Sequence, residues 1–306
     1  MSHIFEALQR AEAERSGNSL KTADSVTDLL EQATAQDGSP DEDASARPVS
    51  IAFERLGPET FSAAQLLLPA PAAHARLVCL TDQGSLAAEK FRVLGLRLKN
   101  LREKRKLNRI VVTSTIPEEG KSLCAANLAL NQSRSRVLRT LLLDGDLRRP
   151  TLASRFGLSR SLPGLAECLE GARRLSEVIY KLSGTNLWFL PAGVPPENPL
   201  ELMQSGRMAE LLDRLGKAFD WVIIDSPPLM PLADTTFWAK LSDGILLVVR
   251  EGVSEKKALE RVLEIVDRSA IVGVIVNSCS NGDHKNYYQR YKAKSSGESP
   301  LPGSSQ

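Results

Sequence analysis

The chain has 306 residues, 42% of them hydrophobic, and a formal net charge of +2; that is enough for one large α/β core with length to spare, without the overall basic field of a nucleic-acid binder. Its four cysteines (Cys79, Cys124, Cys168, Cys279) include no CxxC pair and its histidines do not cluster, which argues against a zinc site or disulfide scaffold and fits a reducing cytoplasm. No apolar run nears the roughly 20 residues that cross a bilayer, and the charged start MSHIFEALQRAEAER has no signal-peptide core, so a soluble, cytoplasmic protein with no nucleic-acid partner is expected.

Residues 3–15 read as a short helix with Ile4, Phe5 and Leu8 on one side. Such a stripe cannot fold alone; it packs on its own domain or docks a partner, and residues 1–15 are assigned as a docking helix. Residues 16–75 contain the acidic, turn-rich GNSLKTADSVTD and QDGSPDEDASARP and the spacer PAPAAHA. They read as a mostly disordered linker with short ordered patches.

From Arg76 the pattern becomes regular. Apolar runs RIVVTST (109–115), TLLLDGD (140–146), LWFLPAG (187–193), WVIIDSP (221–227), ILLVVRE (245–251) and IVGVIVN (271–277) alternate with segments of helical length. Runs apolar on both faces and alternating with helices imply a doubly wound, mostly parallel sheet flanked by helices, an α/β fold. The domain is assigned to 76–283 and a flexible tail to 284–306. The basic run LREKRKLNR (101–109) lacks interleaved aromatics and reads as the solvated end of a helix. Trp188, Trp221 and Trp238 read as core.

TSTIPEEGKSLCAANLAL follows the first strong strand and runs into a helix, the context a P-loop requires. Backbone N–H groups around Glu119, Gly120, Lys121, Ser122 and Leu123 would form an anion nest at the helix start. Lys121 would reach the phosphates of a nucleotide such as ATP, and the Ser122 hydroxyl would bind Mg²⁺. A strict P-loop has glycine where Thr115 stands. Asp144 and Asp146 end the next strand and Asp225 ends a third, at the edge where open parallel sheets bind ligands. Alternation would put Asp144 and Asp146 on one face, and Asp225 is placed to hold Mg²⁺ or its water. Asn277 either reads an adenine edge or ends its strand in a turn.

Together TSTIPEEGKS, LLLDGDLRRP and FDWVIIDSPPLMPLADT resemble the three Walker motifs of the bacterial tyrosine kinases, P-loop enzymes related to the MinD/ParA ATPases. The likeness spans about residues 76–292, and its most specific element is the Asp-x-Asp-x-Arg of Asp144, Asp146 and Arg148. It implies ATP- and Mg²⁺-dependent autophosphorylation on a C-terminal tyrosine cluster, here Tyr287, Tyr288 and Tyr291. It also implies a catalytic set of Lys121, Asp144 and Asp146, with Asp144 chosen as the base for the tyrosine proton. Asp146 would support a metal held by Ser122 and Asp225, though the order of the two aspartates' roles stays open. The partners implied are neighbours in a homo-oligomeric ring, a tyrosine phosphatase, and an inner-membrane polysaccharide co-polymerase of the chain-length-determinant type. This activator would recruit the kinase to the inner face of the membrane to regulate exopolysaccharide or capsule synthesis. Two departures stand out: Glu118 replaces a loop glycine, and Gly95 replaces the last arginine of a Glu-x-x-Arg-x-x-Arg oligomerisation helix begun by Glu89 and Arg92. The competing reading is a MinD/ParA-like ATPase that acts as a dimerisation and positioning switch without phosphorylating tyrosine.

Overall fold

The computed structural model describes residue 57 and residues 63–230 and 234–278. The expected docking helix, most of the expected linker and the tyrosine tail lie outside these residues.

Eight strands form one sheet: β1 (Leu66–Leu67), β2 (Arg109–Ser114), β3 (Thr140–Asp144), β4 (Tyr180–Leu182), β5 (Leu187–Leu190), β6 (Trp221–Asp225), β7 (Gly244–Arg250) and β8 (Ile271–Asn277). Their order is β1-β4-β5-β3-β6-β2-β7-β8. β5 to β8 run parallel in the sheet, while β4 pairs antiparallel with β5 and carries β1 parallel to itself. The six strands expected from apolar runs are all present. The two missed are β1 and β4, at two and three residues too short to show a period.

The principal helices are α1 (Val78–Thr81), α2 (Leu86–Arg102), α3 (Lys121–Gln132), α4 (Arg207–Ala218), α5 (Asp234–Leu241) and α6 (Lys256–Ile265). Alternation along the strands sends successive side chains to opposite faces. Val111, Leu141, Leu143, Val222 and Ile224 enter one core with Leu211 and Leu215 of α4. Ile110, Val112, Leu142 and Ile223 enter another with Leu98 of α2 and Leu128 of α3. Both faces are therefore covered, which explains why the central strands read as unbroken apolar runs. All three tryptophans are buried, as expected.

The ordered chain starts ahead of Arg76. β1 is joined to the sheet, and the Ala70 N–H donates to Phe156 O at 2.8 Å. Leu67 packs with the second core, so at least residues 63–75 belong with the domain rather than with a linker. Within α2, Glu89 pairs with Arg92. Gly95 is buried against α3, and a Cβ there would run into the Asn131 amide. That amide is the end of a flexible side chain, so a methyl group here would be met by a turn of Asn131 rather than by a shift of either helix. The basic run from the end of α2 to the start of β2 is partly committed to structure: Arg102 lies 4.9 Å from the Trp221 ring, and Arg109 pairs with Asp243 at 3.1 Å.

The left-handed Gly157 (φ 70°) sits where a Cβ would meet the Ala70 carbonyl. Gly157→Ala is expected to cost roughly 1–3 kcal/mol and to loosen residues 63–70. Gly206→Ala, at φ 71° with open space around it, should cost the backbone term alone. Urea midpoints with limited proteolysis check the pair; equal losses would show that residues 63–70 add nothing to the domain.

Asp243 accepts the backbone N–H groups of Asn108 (3.0 Å) and Arg109 (2.8 Å). Partial burial pushes its carboxyl up, but these bonds and the Arg109 guanidinium outweigh that and hold it below its ordinary 3.8. A depressed carboxyl contributes stability above the unfolded value and loses it as pH falls through the folded one. Asp243→Asn should therefore lower stability at pH 7, by roughly 1–3 kcal/mol, and converge on the parent below pH 3.8. A difference unchanged between pH 7 and pH 3 would assign the effect to shape rather than charge.

Candidate active site

Register builds the centre of the site. β3 and β6 are neighbours with Asp144 directly opposite Asp225, and paired residues of parallel strands point to the same face. That face carries α3, whose first residue is Lys121. The chain then stitches the two strand ends together: the Gly145 N–H donates to Asp225 O at 2.7 Å. Trp238 of α5 occupies the space a Cβ on Gly145 would need.

Lys121 lies among the three carboxylates. Its Nζ is 2.9 Å from Asp146 Oδ2 and 3.6 Å from Asp225 Oδ1. Burial alone would lower its pKa, but the charges of Asp225 and Asp146 more than reverse this and hold the ammonium above its ordinary 10.5. The carboxylates bear the opposite strain. Burial, then the charge of Asp225, pushes Asp144 well above its ordinary 3.8, against the pull of the Leu152 N–H and Lys121. Burial likewise raises Asp225, against Lys121 and Ser122. Both Asp225 oxygens are buried and neither accepts a hydrogen bond of ordinary length, the nearest cation being Lys121 Nζ at 3.6 Å. Such an atom wants a cation, and the Ser122 hydroxyl stands 3.3 Å from Lys121 Nζ. The donor set Ser122–Asp225 thus fits a hard oxygen-loving ion such as Mg²⁺.

The two aspartates of β3 divide. Asp146 lines a cavity of about 630 Å³ with Gly120, Lys121, Ser122, Arg148 and Arg149. Asp144 lies behind it, its Oδ1 accepting the Asp146 N–H and its Oδ2 the Leu152 N–H at 3.1 Å. It borders a second cavity of about 390 Å³, which shares Arg149 and Thr151 with the first. The strand ends at Asp144, so Asp146 leaves the sheet and strict alternation does not relate the two side chains.

The phosphate-loop segment is braced from below. Glu119 is fully buried, its Oε1 accepting the Thr115 hydroxyl at 2.6 Å and its Oε2 the Ile116 N–H at 3.0 Å. Ser254, in the loop after β7, also donates to Oε1. Glu119 was expected to serve the nest through its backbone; its side chain forms the strut beneath. Thr115, a departure from the strict motif, is one end of that strut. Glu118 takes the left-handed backbone (φ 66°) that a glycine would adopt freely, and Arg250 Nη1 donates to its carbonyl at 3.3 Å.

Gly120 is left-handed (φ 94°) and faces the Asn277 amide, which donates to Glu119 O at 2.9 Å. In this structure Asn277 therefore supports the loop and ends β8 by accepting the Ser278 N–H. The first hydrogen bond of α3 runs from the Cys124 N–H to Gly120 O. The N–H groups of Lys121, Ser122 and Leu123 lie ahead of it at the positive helix end. Tyr287, Tyr288 and Tyr291 lie outside the described residues. Ser254 and Arg250 carried no sequence signal, being brought to the loop by sheet order alone.

The curated tyrosine-protein kinase YwqD of Bacillus subtilis strain 168 is 31% identical over 213 residues, covering 69% of this chain and 89% of that protein. The chain belongs to the bacterial tyrosine kinases. Tyrosine-protein kinase CpsD of Streptococcus agalactiae is 29% identical over 199 residues, 62% of this chain and 86% of that protein. Among solved structures, the chimerical protein CapA2B2 matches with a TM-score of 0.63 and 29% identity, covering 68% of this chain and 92% of that one. The kinase domain of the Escherichia coli tyrosine kinase ETK matches at 0.61 and 25%, covering 67% and 82%. No family model matches. These relatives favour the tyrosine-kinase reading over the positioning ATPase. In this kinase no helix of the described residues is long and apolar enough to cross a membrane.

Removing the strut has a measurable cost. Glu119→Ala strands a buried hydroxyl and an N–H and is expected to cost roughly 1–3 kcal/mol. Ser254→Ala, which leaves the other two bonds in place, should cost about 1 kcal/mol. Urea unfolding of both variants checks this; an unchanged midpoint for Glu119→Ala would show that the carboxylate braces nothing.

Proposed function

We propose that this chain is an ATP-dependent, autophosphorylating protein-tyrosine kinase that transfers the γ-phosphate to the tail tyrosines Tyr287, Tyr288 and Tyr291. One observation carries the reading: Lys121, at the head of α3, is paired to Asp146 and Asp225 beside a cavity of about 630 Å³. An ammonium ringed by carboxylates at the start of a helix is arranged for phosphoryl oxygens and a divalent ion. Among the described residues no three His, Cys, Asp or Glu side chains form a metal site of their own. A metal here would use Ser122 and Asp225, supported by Asp146, and complete its shell with phosphate and water. Once bound, Mg²⁺ would supply charge neutralisation at the phosphates.

The chain's own residues would do the rest. The N–H groups of Gly120 to Leu123 and the Lys121 ammonium would position the phosphates. The acceptor tyrosine would approach through the smaller cavity, which Asp144 lines, and Asp144 would take its proton. Burial raises the basicity of Asp144 above that of an ordinary carboxylate, which suits a group that accepts a proton as the bond forms. Phosphoryl transfer asks for little beyond this positioning and charge neutralisation.

Around this chemistry we place the domain at 76–283 with its added edge from residue 63, residues 1–15 as the docking segment and 284–306 as the substrate tail. The kinase would act in a homo-oligomer, at the inner membrane face, under a separate polysaccharide co-polymerase and opposed by a tyrosine phosphatase. Exopolysaccharide or capsule export would be the process it regulates. Family membership and the resemblance of the motifs support this setting.

Purified protein incubated with ATP and Mg²⁺, with the activator's cytoplasmic tail added, should gain phosphate on the 284–306 peptide by intact mass and peptide mapping. Lys121→Met should abolish it, and Asp144→Asn should slow it by about 10²–10⁴. ATP hydrolysis with an unmodified tail would overturn the kinase and restore the positioning ATPase. Full activity in Asp144→Asn would move the base elsewhere.

A further inference from the structure

One wall of the cleft carries donors that neither the strut nor the carboxylate cluster uses. After β3 the chain passes through Arg148–Thr151 into a single helical turn, Leu152–Arg155. Asp144 anchors that turn by accepting the Leu152 N–H, and the buried Leu152 side chain fixes it to the second core. Thr151 and Arg155 both line the larger cavity, and Thr151 also lines the smaller one. The turn thus stands where the nucleotide and acceptor cavities meet.

Neither side chain is accounted for by the fold. Thr151 Oγ1 and Arg155 Nε are buried and have no hydrogen-bond partner. The Thr151 hydroxyl does not cap the turn it precedes, and among the described residues the Arg155 guanidinium forms no salt bridge. A buried donor without an acceptor is costly, and a guanidinium more so. Such groups persist where an acceptor arrives with the ligand. The charge of Arg155 also reaches the Asp225 carboxyl, where with Lys121 it opposes the rise that burial imposes.

We propose that Thr151 and Arg155 form a phosphoryl-oxygen subsite of this cleft, with Arg155 a catalytic residue that touches the γ-phosphate during transfer; the inference rests on the kinase reading. In the step, the tyrosine oxygen bonds to the γ-phosphorus as the bond from that phosphorus to the β–γ bridging oxygen breaks. The electron pair leaves with ADP and the tyrosine proton passes to the carboxylate. Charge is spread over the three outer oxygens of the moving group. A planar, permanently charged fork meets such oxygens two at a time. Thr151 contributes a single neutral donor from the acceptor side. Asp144 then has a positioning role besides its proton: it holds the turn that presents both.

The test uses the full chain with its tail. Arg155→Ala should slow tail phosphorylation at saturating ATP about a hundredfold and reduce the preference for ATP over ADP in direct binding, with ADP affinity within about threefold of the parent. Added guanidinium ion should restore part of the rate in Arg155→Ala and none in Lys121→Met. Thr151→Val should show a smaller loss of the same kind, and Arg155→Lys should keep more activity than Arg155→Ala. Parent-like kinetics and nucleotide preference in Arg155→Ala would overturn the proposal. So would a slower enzyme with a lowered thermal midpoint, unchanged nucleotide preference and no rescue, since Arg155 would then merely support its turn. If the parent fails to phosphorylate its tail, the kinase reading falls, while the ATP-over-ADP preference still decides whether Arg155 meets a γ-phosphate.

Discussion

The register of β3 against β6 is the constraint on which this molecule depends. It sets Asp144 and Asp225 side by side at the end of two fully buried strands, with Asp146 two residues on. Burial pushes both carboxyls up, and neighbouring like charges add to it, Asp225 acting on Asp144 and Asp146 on Asp225. Lys121 is the one lysine within salt-bridge reach of the cluster among the described residues, and it remains charged because of it. A sheet designed for stability alone would place apolar side chains here. Under the proposed function this buried ionic cluster would be half of an assembly, completed by a divalent ion on one side and phosphates on the other.

The loop above that cluster is held by a second buried carboxylate, used in another way. Glu119 accepts donors from Thr115, Ile116 and Ser254, binding the end of β2, the loop itself and the exit of β7. A P-loop with glycine in place of Thr115 would have no hydroxyl to offer, and its support would have to come from elsewhere. The left-handed Glu118 stores local backbone strain of a size such a brace can hold. Asn277 adds a third fixed point, through the carbonyl just ahead of Gly120. The loop is therefore rigid through side chains, where glycine-rich versions depend on their backbone.

Much of this was legible in the chain. Six apolar runs became six strands because a strand buried on both faces must be apolar throughout, and GKS marked the start of α3. The rest was hidden for physical reasons. β1 and β4 are shorter than any period. Asp144 and Asp146 look equivalent two residues apart, but the strand ends between them, so Asp146 lines the larger cavity and Asp144 the smaller one. Ser254 lies 135 residues from Glu119, and only the placement of β7 beside β2 brings them together. Gly95 interrupts the spacing of a helix motif in the chain, and only the fold shows that it lies buried against the Asn131 side chain of α3.

The cleft divides its work by the kind of support behind each group. Lys121 and the nest stand on α3, a helix with buried residues along nearly its whole length, so they move with the core. Asp225 ends a central strand and is equally fixed. Thr151 and Arg155 stand on a four-residue turn tied to the core through Leu152 and the Asp144 carboxylate. Protonating Asp144 leaves one oxygen as an acceptor but weakens its pull on the Leu152 N–H, because a neutral carboxyl accepts less strongly than a carboxylate. Taking the tyrosine proton would thus loosen the turn that holds the phosphoryl oxygens, at the moment the phosphate has left ATP. The group that receives the proton would also be the group that relaxes the grip on the product.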